Sequence, residues 1–385
     1  MRILFLAPEP FFVPRGTPIA VRAALEGLSA QGHAIDLLTY HAGDDIAIDN
    51  VRHVRARRPP LVRDVPIGPS WQKIGCDLFM IAAAFKMART GKYDLVHAVE
   101  EAVFMARAIR RCYGVPYVYD MDSHMSRQLA AKSRLLAPAA WLFDRLERGA
   151  IARSTGVLAV CPALVEVALE SHPQRNVTLL PDVPLTDPHA TNGTCDLPET
   201  TGTLLLYVGN LEAYQGIDLM IEAFRRVIDA GTDATLLVVG GEPAHVDHYR
   251  KTAGALCDQG KLRLIGPRPI EQLGAILRRA DVLLSPRTVG QNTPMKIYSY
   301  LDSGKAVLAT RLSTHTQVLD DRVASLVDAN PDDMAAGMLR LIRDPDLRRE
   351  LGERGQAYVR SEFSETAFRR RLAQFYSAID GNVAS

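Results

Sequence analysis

The sequence predicts an α/β protein of two tandem domains, each a parallel sheet with helical crossovers. Three observations carry that class. Short Val-, Ile- and Leu-rich runs alternate with helical patterns of about 10 to 15 residues, as parallel βα repeats require. The alternation breaks once, at residues 179–202 (LLPDVPLTDPHATNGTCDLPETTG), where four prolines and two glycines give the composition of a linker. It then restarts, and 385 residues with 47% hydrophobic content suffice for two cores.

The elements follow in order. RILFLA opens as a buried strand and leads into the loop VPRGTP, then a helix from Ile19 to Gln31 stopped by Gly32. AIDLLTY is the next strand, followed later by DLVHAV, the helix AVFMARAIRR, the strand VPYVYD and, after a further helix, GVLAVC. Past the linker come TLLLYVG, the helix IDLMIEAFRRVIDA, ATLLVVGG, another helix, KLRLIG, a helix at EQLGAILRRA, DVLLSP, and KAVLAT. The expected organisation is an N-terminal domain 1–182, a linker 183–202, a C-terminal domain 203–363 and a terminal helix at 364–385. Ligands of such sheets lie beyond the carboxyl ends of the strands, which puts the expected site in an interdomain cleft.

Composition excludes several classes. Lys plus Arg (45) nearly balances Asp plus Glu (44), so bulk charge recruits no nucleic acid. Cys76, Cys112, Cys161, Cys195 and Cys257 form no CxxC pair, which argues against zinc and against a disulfide framework. The apolar start is cut by Pro8 and Pro10 before reaching leader length, and no run approaches the roughly 18 residues that span a bilayer. A cytoplasmic location is expected, with peripheral membrane contact at its inner face. That contact is assigned to residues 52–63 (RHVRARRPPLVR), which hold five arginines and no acid and precede the amphipathic WQKIGCDLFMIAAAFKMAR.

The chemistry concentrates in GQNTPMKIYSYLDSGKAVLAT, residues 290–310. Thr293 followed by Pro294 reads as an N-cap and first-turn proline. The backbone N–H groups of Met295 and Lys296 would then face an anion. Lys296 in the first turn opposes the helix dipole by roughly 0.3–1 kcal/mol unless something negative lies nearby. Arg287, just beyond LLSP, offers a second cation with a fork suited to phosphate. Gly16 lies before the first helix, beside Arg15, and Thr17–Pro18 repeats the cap-and-proline pattern.

With these motifs on the page, GTP and GH near the N-terminus, YVGNLEAYQGIDLMIEAF, and SPRTVGQNTPMKIYSYLDSGKAVLAT, the chain resembles the retaining glycosyltransferases of family 4. The resemblance covers nearly the whole chain. It implies a GT-B architecture of two Rossmann-like domains, a nucleotide-diphosphate-sugar donor held mainly by the second domain, an acceptor held by the first, no obligatory metal, and a last helix (SETAFRRRLAQFYSAI) returning to the first domain; a glycan, lipid or lipid-linked acceptor is expected, the lipid on the strength of residues 52–63. It implies no cofactor, the nucleotide sugar being a substrate.

The departures are informative. Where the family has an Arg after the Gly of the first loop and a Lys before the next, this chain has Asn210, after Gly209, and Gln215. Where it has two Glu eight residues apart, this chain has Gln291 and Ser299. Two cations and two anions vanish together, which leaves the local charge sum unchanged and favours a rewired site over a decayed one. Lys296 and Arg287 then replace the missing cations, Ser299 bonds a ribose hydroxyl, and Gln291 and Asn292 offer amides to the sugar. In VYDMDSHM the family's His slot falls on Asp122, with His124 two residues on; both are catalytic candidates. Asp120 and Asp122 also spell a DxD, a weak metal signal that the second α/β domain argues against. A non-catalytic GT-B homologue and a sugar-nucleotide epimerase remain as alternatives, separated from a transferase by donor hydrolysis.

Overall fold

The computed structural model describes residues 1–13, 16–60, 62, 65, 70–125, 137–171, 176–185 and 195–383. It divides into two compact units, Met1–Pro181 with Phe368–Ser385, and Asp182–Ala367.

Unit 1 is built on seven parallel strands: β1 (Arg2–Leu6), β2 (Ala34–Thr39), β3 (Val51–Arg55), β4 (Leu95–Val99), β5 (Tyr117–Met121), β6 (Gly156–Ala159) and β7 (Asn176–Leu179). Their order is β3-β2-β1-β4-β5-β6-β7. Strands buried on both faces must be apolar throughout, and β4 (LVHAV) and β6 (GVLA) are buried at every position. At the edges, β3 (VRHVR) and β7 (NVTL) are half-buried and correspondingly polar.

β3 changes the reading of the arginine-rich stretch. Arg52 grips Asp36 through Nε–Oδ1 at 2.6 Å and Nη2–Oδ2 at 2.8 Å, Arg55 pairs with Asp45 at 2.9 Å, and Arg58 donates to the Val62 carbonyl at 2.6 Å. Three of the five arginines thus secure an edge strand and its exit instead of forming a free basic patch; Arg63 lies outside the described residues.

The final helix, Glu365–Val383, supplies unit 1 with Leu372, Phe375, Tyr376 and Ile379, all at most 1% exposed. Leu372 packs at Gly27 and Phe375 at Gly156, where a Cβ would lie 2.9 and 2.8 Å from them. The Tyr376 hydroxyl meets His97 Nδ1 at 2.6 Å, and His97 Nε2 meets Asp120 Oδ2 at 3.0 Å.

Unit 2 carries β8 (Thr203–Val208), β9 (Ala234–Val239), β10 (Leu262–Leu264), β11 (Val282–Ser285), β12 (Ala306–Thr310) and β13 (Ser325–Val327), ordered β10-β9-β8-β11-β12-β13 and all parallel. β9 (ATLLVV) and β12 (AVLAT) are buried end to end. Two apolar layers sandwich the sheet, one around Phe224, Met220 and Met338, the other around Tyr298, Tyr300 and Leu301.

Each sheet has one point where successive connections run to opposite sides: between β1 and β4 in unit 1, and between β8 and β11 in unit 2. Loops leaving the carboxyl ends of those strand pairs diverge and leave a crevice.

Candidate functional site

In unit 2 the switch point is flanked by the loop after β8, Gly209–Gly216, and the loop after β11, leading to the helix Lys296–Asp302. The loops touch at Gly216, whose φ of +75° and whose absent Cβ, which would lie 1.9 Å from the Pro286 carbonyl, admit only glycine.

Lys296 crosses between the two loops. Its Nζ donates to Gln215 Oε1 at 3.2 Å, stands 3.9 Å from the Tyr207 ring centroid, and would lie 3.2 Å from a Cβ on Gly209. Among the described residues no carboxylate is within ion-pair distance of it. Burial, reinforced by the charge of Arg287, pushes its pKa well below the usual lysine range. The amine is therefore delivered to Gln215 and to Gly209, the residue before Asn210, and Gln215 and Asn210 are the positions where the resemblance calls for cations.

Arg287 is half-buried and works mainly on its own loop. Nε donates to the Val289 carbonyl at 2.9 Å, Nη1 to the Asn292 carbonyl at 3.0 Å and to Thr314 Oγ1 at 3.3 Å, and the guanidinium lies 5.0 Å from the Tyr214 ring centroid. Burial lowers its pKa. The expectation of a fork wholly free for phosphate is corrected: only Nη2 is uncommitted among the described residues.

Several further expectations change. Thr293 is not an N-cap: the helix starts at Lys296, the residue before it, Met295, is already helical, and no side chain caps it. The first turn is closed instead by Ile297 N–H to the Pro294 carbonyl at 2.9 Å. Thr293 is 7% exposed, and its Oγ1 is buried without a hydrogen-bond partner among the described residues. Ser299, expected at a ribose, is 1% exposed and its Oγ accepts the Leu185 N–H at 2.9 Å, tying the interdomain segment to the helix. Gln291 is exposed and Asn292 half-buried. Their backbone carbonyls accept from Gln317 Nε2 at 2.6 Å and Thr314 Oγ1 at 2.5 Å. The Asn210 carbonyl accepts from the Tyr207 hydroxyl at 2.6 Å.

Two organising residues were not legible in the sequence. Tyr300, fully buried, accepts the Val208 N–H at 2.8 Å and donates to the Val208 carbonyl at 3.2 Å, fixing the residue before Gly209. His315, also fully buried, bonds the Thr310 carbonyl through Nδ1 at 2.8 Å. A carbonyl only accepts, so Nδ1 carries the proton and Nε2 accepts from Ser285 Oγ at 2.9 Å. Burial pushes the His315 pKa down to about 4. Thr310 Oγ1 in turn donates to the Arg287 carbonyl at 2.5 Å, so this network anchors the loop after β11.

In unit 1, Gly16 caps the helix Thr17–Ala30 with φ +52° and ψ −138°, a conformation suited to glycine; Thr17 is the first helical residue and makes no side-chain cap. Arg15 lies outside the described residues. Asp122 is half-buried just past β5. His124 is 6% exposed, with Nε2 at 3.6 Å from Asp144 and 3.7 Å from Glu147 on the helix Ala137–Ile151, so its ring is committed to carboxylates of its own unit.

Comparison with known proteins decides the family. A family profile described as "Glycosyl transferase 4-like domain" matches residues 15–182, and one described as "Glycosyl transferases group 1" matches 202–344. The chain belongs to the family 4 glycosyltransferases. The phosphatidyl-myo-inositol mannosyltransferase of Mycobacterium tuberculosis is 23% identical over 100% of this chain and 98% of its own. The alpha-D-kanosaminyltransferase of Streptomyces kanamyceticus is 23% identical over 94% of this chain and 99% of its own. Among solved structures, sucrose-phosphate synthase from Thermosynechococcus elongatus aligns with a TM-score of 0.78 at 19% identity, covering 99% of each chain. Anabaena HepE in complex with UDP aligns at 0.72 and 15% identity, covering 98% of this chain and 100% of its own. This glycosyltransferase therefore has the GT-B fold of two parallel-sheet α/β domains.

Proposed function

We propose that this glycosyltransferase moves a hexosyl group, with retention, from a nucleotide-diphosphate sugar to a hydroxyl of a lipid or lipid-linked glycan. One observation carries the donor half. Lys296 Nζ stands at Gly209 and Gln215 with no acid among the described residues to neutralise it, and a diphosphate there supplies the missing charge. Arg287 Nη2 and the unpartnered Thr293 hydroxyl add donors on the same loop. As the anomeric C–O bond to phosphate breaks, Lys296 and Arg287 stabilise the departing diphosphate. The acceptor oxygen bonds the anomeric carbon on the same face, and its proton passes to a phosphate oxygen. Charge neutralisation by these side chains makes the reaction independent of a metal, so EDTA leaves turnover unchanged.

The acceptor half rests on unit 1. On the helix Trp71–Thr90, Trp71, Ile74 and Leu78 are 63%, 64% and 63% exposed along one face, while Cys76, Met80 and Ala84 bury the other. Trp141 is 67% exposed on Ala137–Ile151, beside exposed Leu142 and Leu146. Such aromatic and aliphatic faces suit the interfacial zone of a bilayer. Among the described residues no helix is long and apolar enough to cross one.

A panel of nucleotide sugars, scored by thermal shift and by released nucleoside diphosphate, tests the donor reading. One donor should both stabilise and turn over, with the anomeric configuration kept in the product. Binding without diphosphate release would favour a scaffold, and isomerised donor an epimerase. Sedimentation with lipid vesicles tests the rest: binding should fall when Trp71, Ile74 and Trp141 become Ser, and persistence at the wild-type level would refute the membrane face.

A further inference from the structure

The outer edge of the unit 2 sheet holds a cavity that the donor site does not use. β10 is the last strand of its sheet, and beside it the helix Pro243–Ala253 and the short helix Ala255–Asp258 bring their carboxyl ends to a hollow of about 530 Å³, which Pro198 also lines. That volume lies in the range of small-molecule sites. The crevice at Lys296 is elsewhere, between β8 and β11, with β9 and β8 separating it from this edge.

The strand contributes backbone to the cavity. The Ile265 N–H donates to the Val238 carbonyl at 3.1 Å, and the Lys261 carbonyl accepts the Leu236 N–H at 2.8 Å. Backbone groups alternate sides along a strand, so Lys261, Arg263 and Ile265 face β9, while Leu262 and Leu264 turn their N–H groups outward, where no further strand follows. Three residues are too short an edge for an added strand of ordinary length, so these donors suit a small ligand.

The charge there is positive. Arg250, Lys251 and Arg263 line the cavity against one acid, Asp258. Arg250 is drawn to Asp247 at 2.9 Å, but Lys251 and Arg263 have no carboxylate within ion-pair distance among the described residues. Pro198, Cys257 and Ile265, all half-buried, give the same hollow an apolar wall.

We propose that this cavity binds an organic phosphate monoester, with its dianion on Lys251, Arg263 and the outward N–H groups of β10, and its apolar body against Pro198, Cys257 and Ile265. A monoester brings close to two negative charges and three acceptor oxygens, which match two unpaired cations and two backbone donors; a carboxylate brings one charge and leaves the second cation unbalanced. The site is independent of the donor reading.

Cys257 serves as a reporter, because a ligand in the cavity shields its thiol. The full chain is alkylated with iodoacetamide at about pH 8, where a monoester is a dianion, and each cysteine is followed by peptide mass spectrometry. The exposed Cys112, in unit 1, is the internal reference. For a Kd near about 1 mM, roughly 10 mM phenyl phosphate should slow alkylation of Cys257 about tenfold and leave Cys112 unchanged. Phenol lacks the charge and inorganic phosphate lacks the body, so each should protect less. Replacing both exposed cations, Lys251→Ser with Arg263→Ser, should abolish the protection without lowering the melting temperature. Lys296→Met should keep the protection, since the donor crevice takes no part. An unchanged Cys257 rate, equal protection by phenol, or protection that survives the double variant overturns the inference. So does equal protection by inorganic phosphate, which would mean an adventitious ion only, or loss of protection in Lys296→Met. UDP and GDP binding judges the donor reading separately, and its failure leaves this site standing.

Discussion

Replacing Lys296 by Met tests the donor site most directly, because the two effects expected of it have opposite signs. In the free protein the ammonium has a neutral hydrogen bond to Gln215 at 3.2 Å and the Tyr207 face at 3.9 Å, worth roughly 1 kcal/mol each. Against these stand its desolvation and the repulsion of Arg287, the causes that depress its pKa, with a penalty of several kcal/mol for an ion out of water. Methionine keeps the stem and drops the charge. Lys296→Met should therefore leave stability unchanged or raise it by about 1 kcal/mol. With a diphosphate bound the balance reverses, since removing one partner of a desolvated charge pair costs about 2–4 kcal/mol, a loss of roughly 30- to 1000-fold in affinity. Urea denaturation and calorimetric titration with UDP and GDP read the two quantities. A variant that loses more than about 2 kcal/mol of stability yet binds both nucleotides like wild type would refute the reasoning and make Lys296 a structural residue.

Other outcomes follow from the same geometry. A diphosphate favours the charged form of Lys296, so donor affinity should fall as pH rises above the depressed free-state value, by at most about tenfold per pH unit, and an affinity independent of pH up to the ordinary lysine range would refute this. His315 has a folded pKa of about 4 against an ordinary 6.5, so the unfolded chain binds more protons between those values. Its contribution, about 3 kcal/mol, is present above pH 6.5 and lost as pH falls toward 4, and a stability profile in which His315→Gln leaves the acid limb unchanged would contradict this. Tyr300→Phe removes both bonds to Val208 and should cost about 1–3 kcal/mol with weaker nucleotide binding, because the strand end before Gly209 loses its anchor.

Much of the fold was legible because central parallel strands are buried on both faces and must be continuously apolar; β1, β9 and β12 read that way at once. β3 and β7 were not legible, since edge strands with half-wet faces tolerate Arg, His, Asn and Thr and look like loops. At the donor site the signal that survived was an energetic conflict: a lysine opposing a helix dipole needs a reason, and its position beside Gly209 and Gln215 supplies one. Residue type alone misled at Thr293, whose hydroxyl is buried without bonding the helix, and at Ser299, which bonds Leu185. Whether a hydroxyl caps, packs or meets a ligand depends on backbone angles that its identity does not set. The cavity beside β10 was invisible because strand order, not chain order, makes β10 an edge.

The last helix gives this chain an unusual timetable. Residues Asp182–Ala367 form a contiguous unit that can fold once they have left the ribosome, whereas residues 1–181 lack Leu372, Phe375 and Tyr376 until that later helix has been made. Of the two units, the one begun first is thus completed after the other. During that wait the groove at Gly27 and Gly156 stands exposed, so a nascent chain stalled before Phe368 carries an open apolar seam for chaperones or proteases to find.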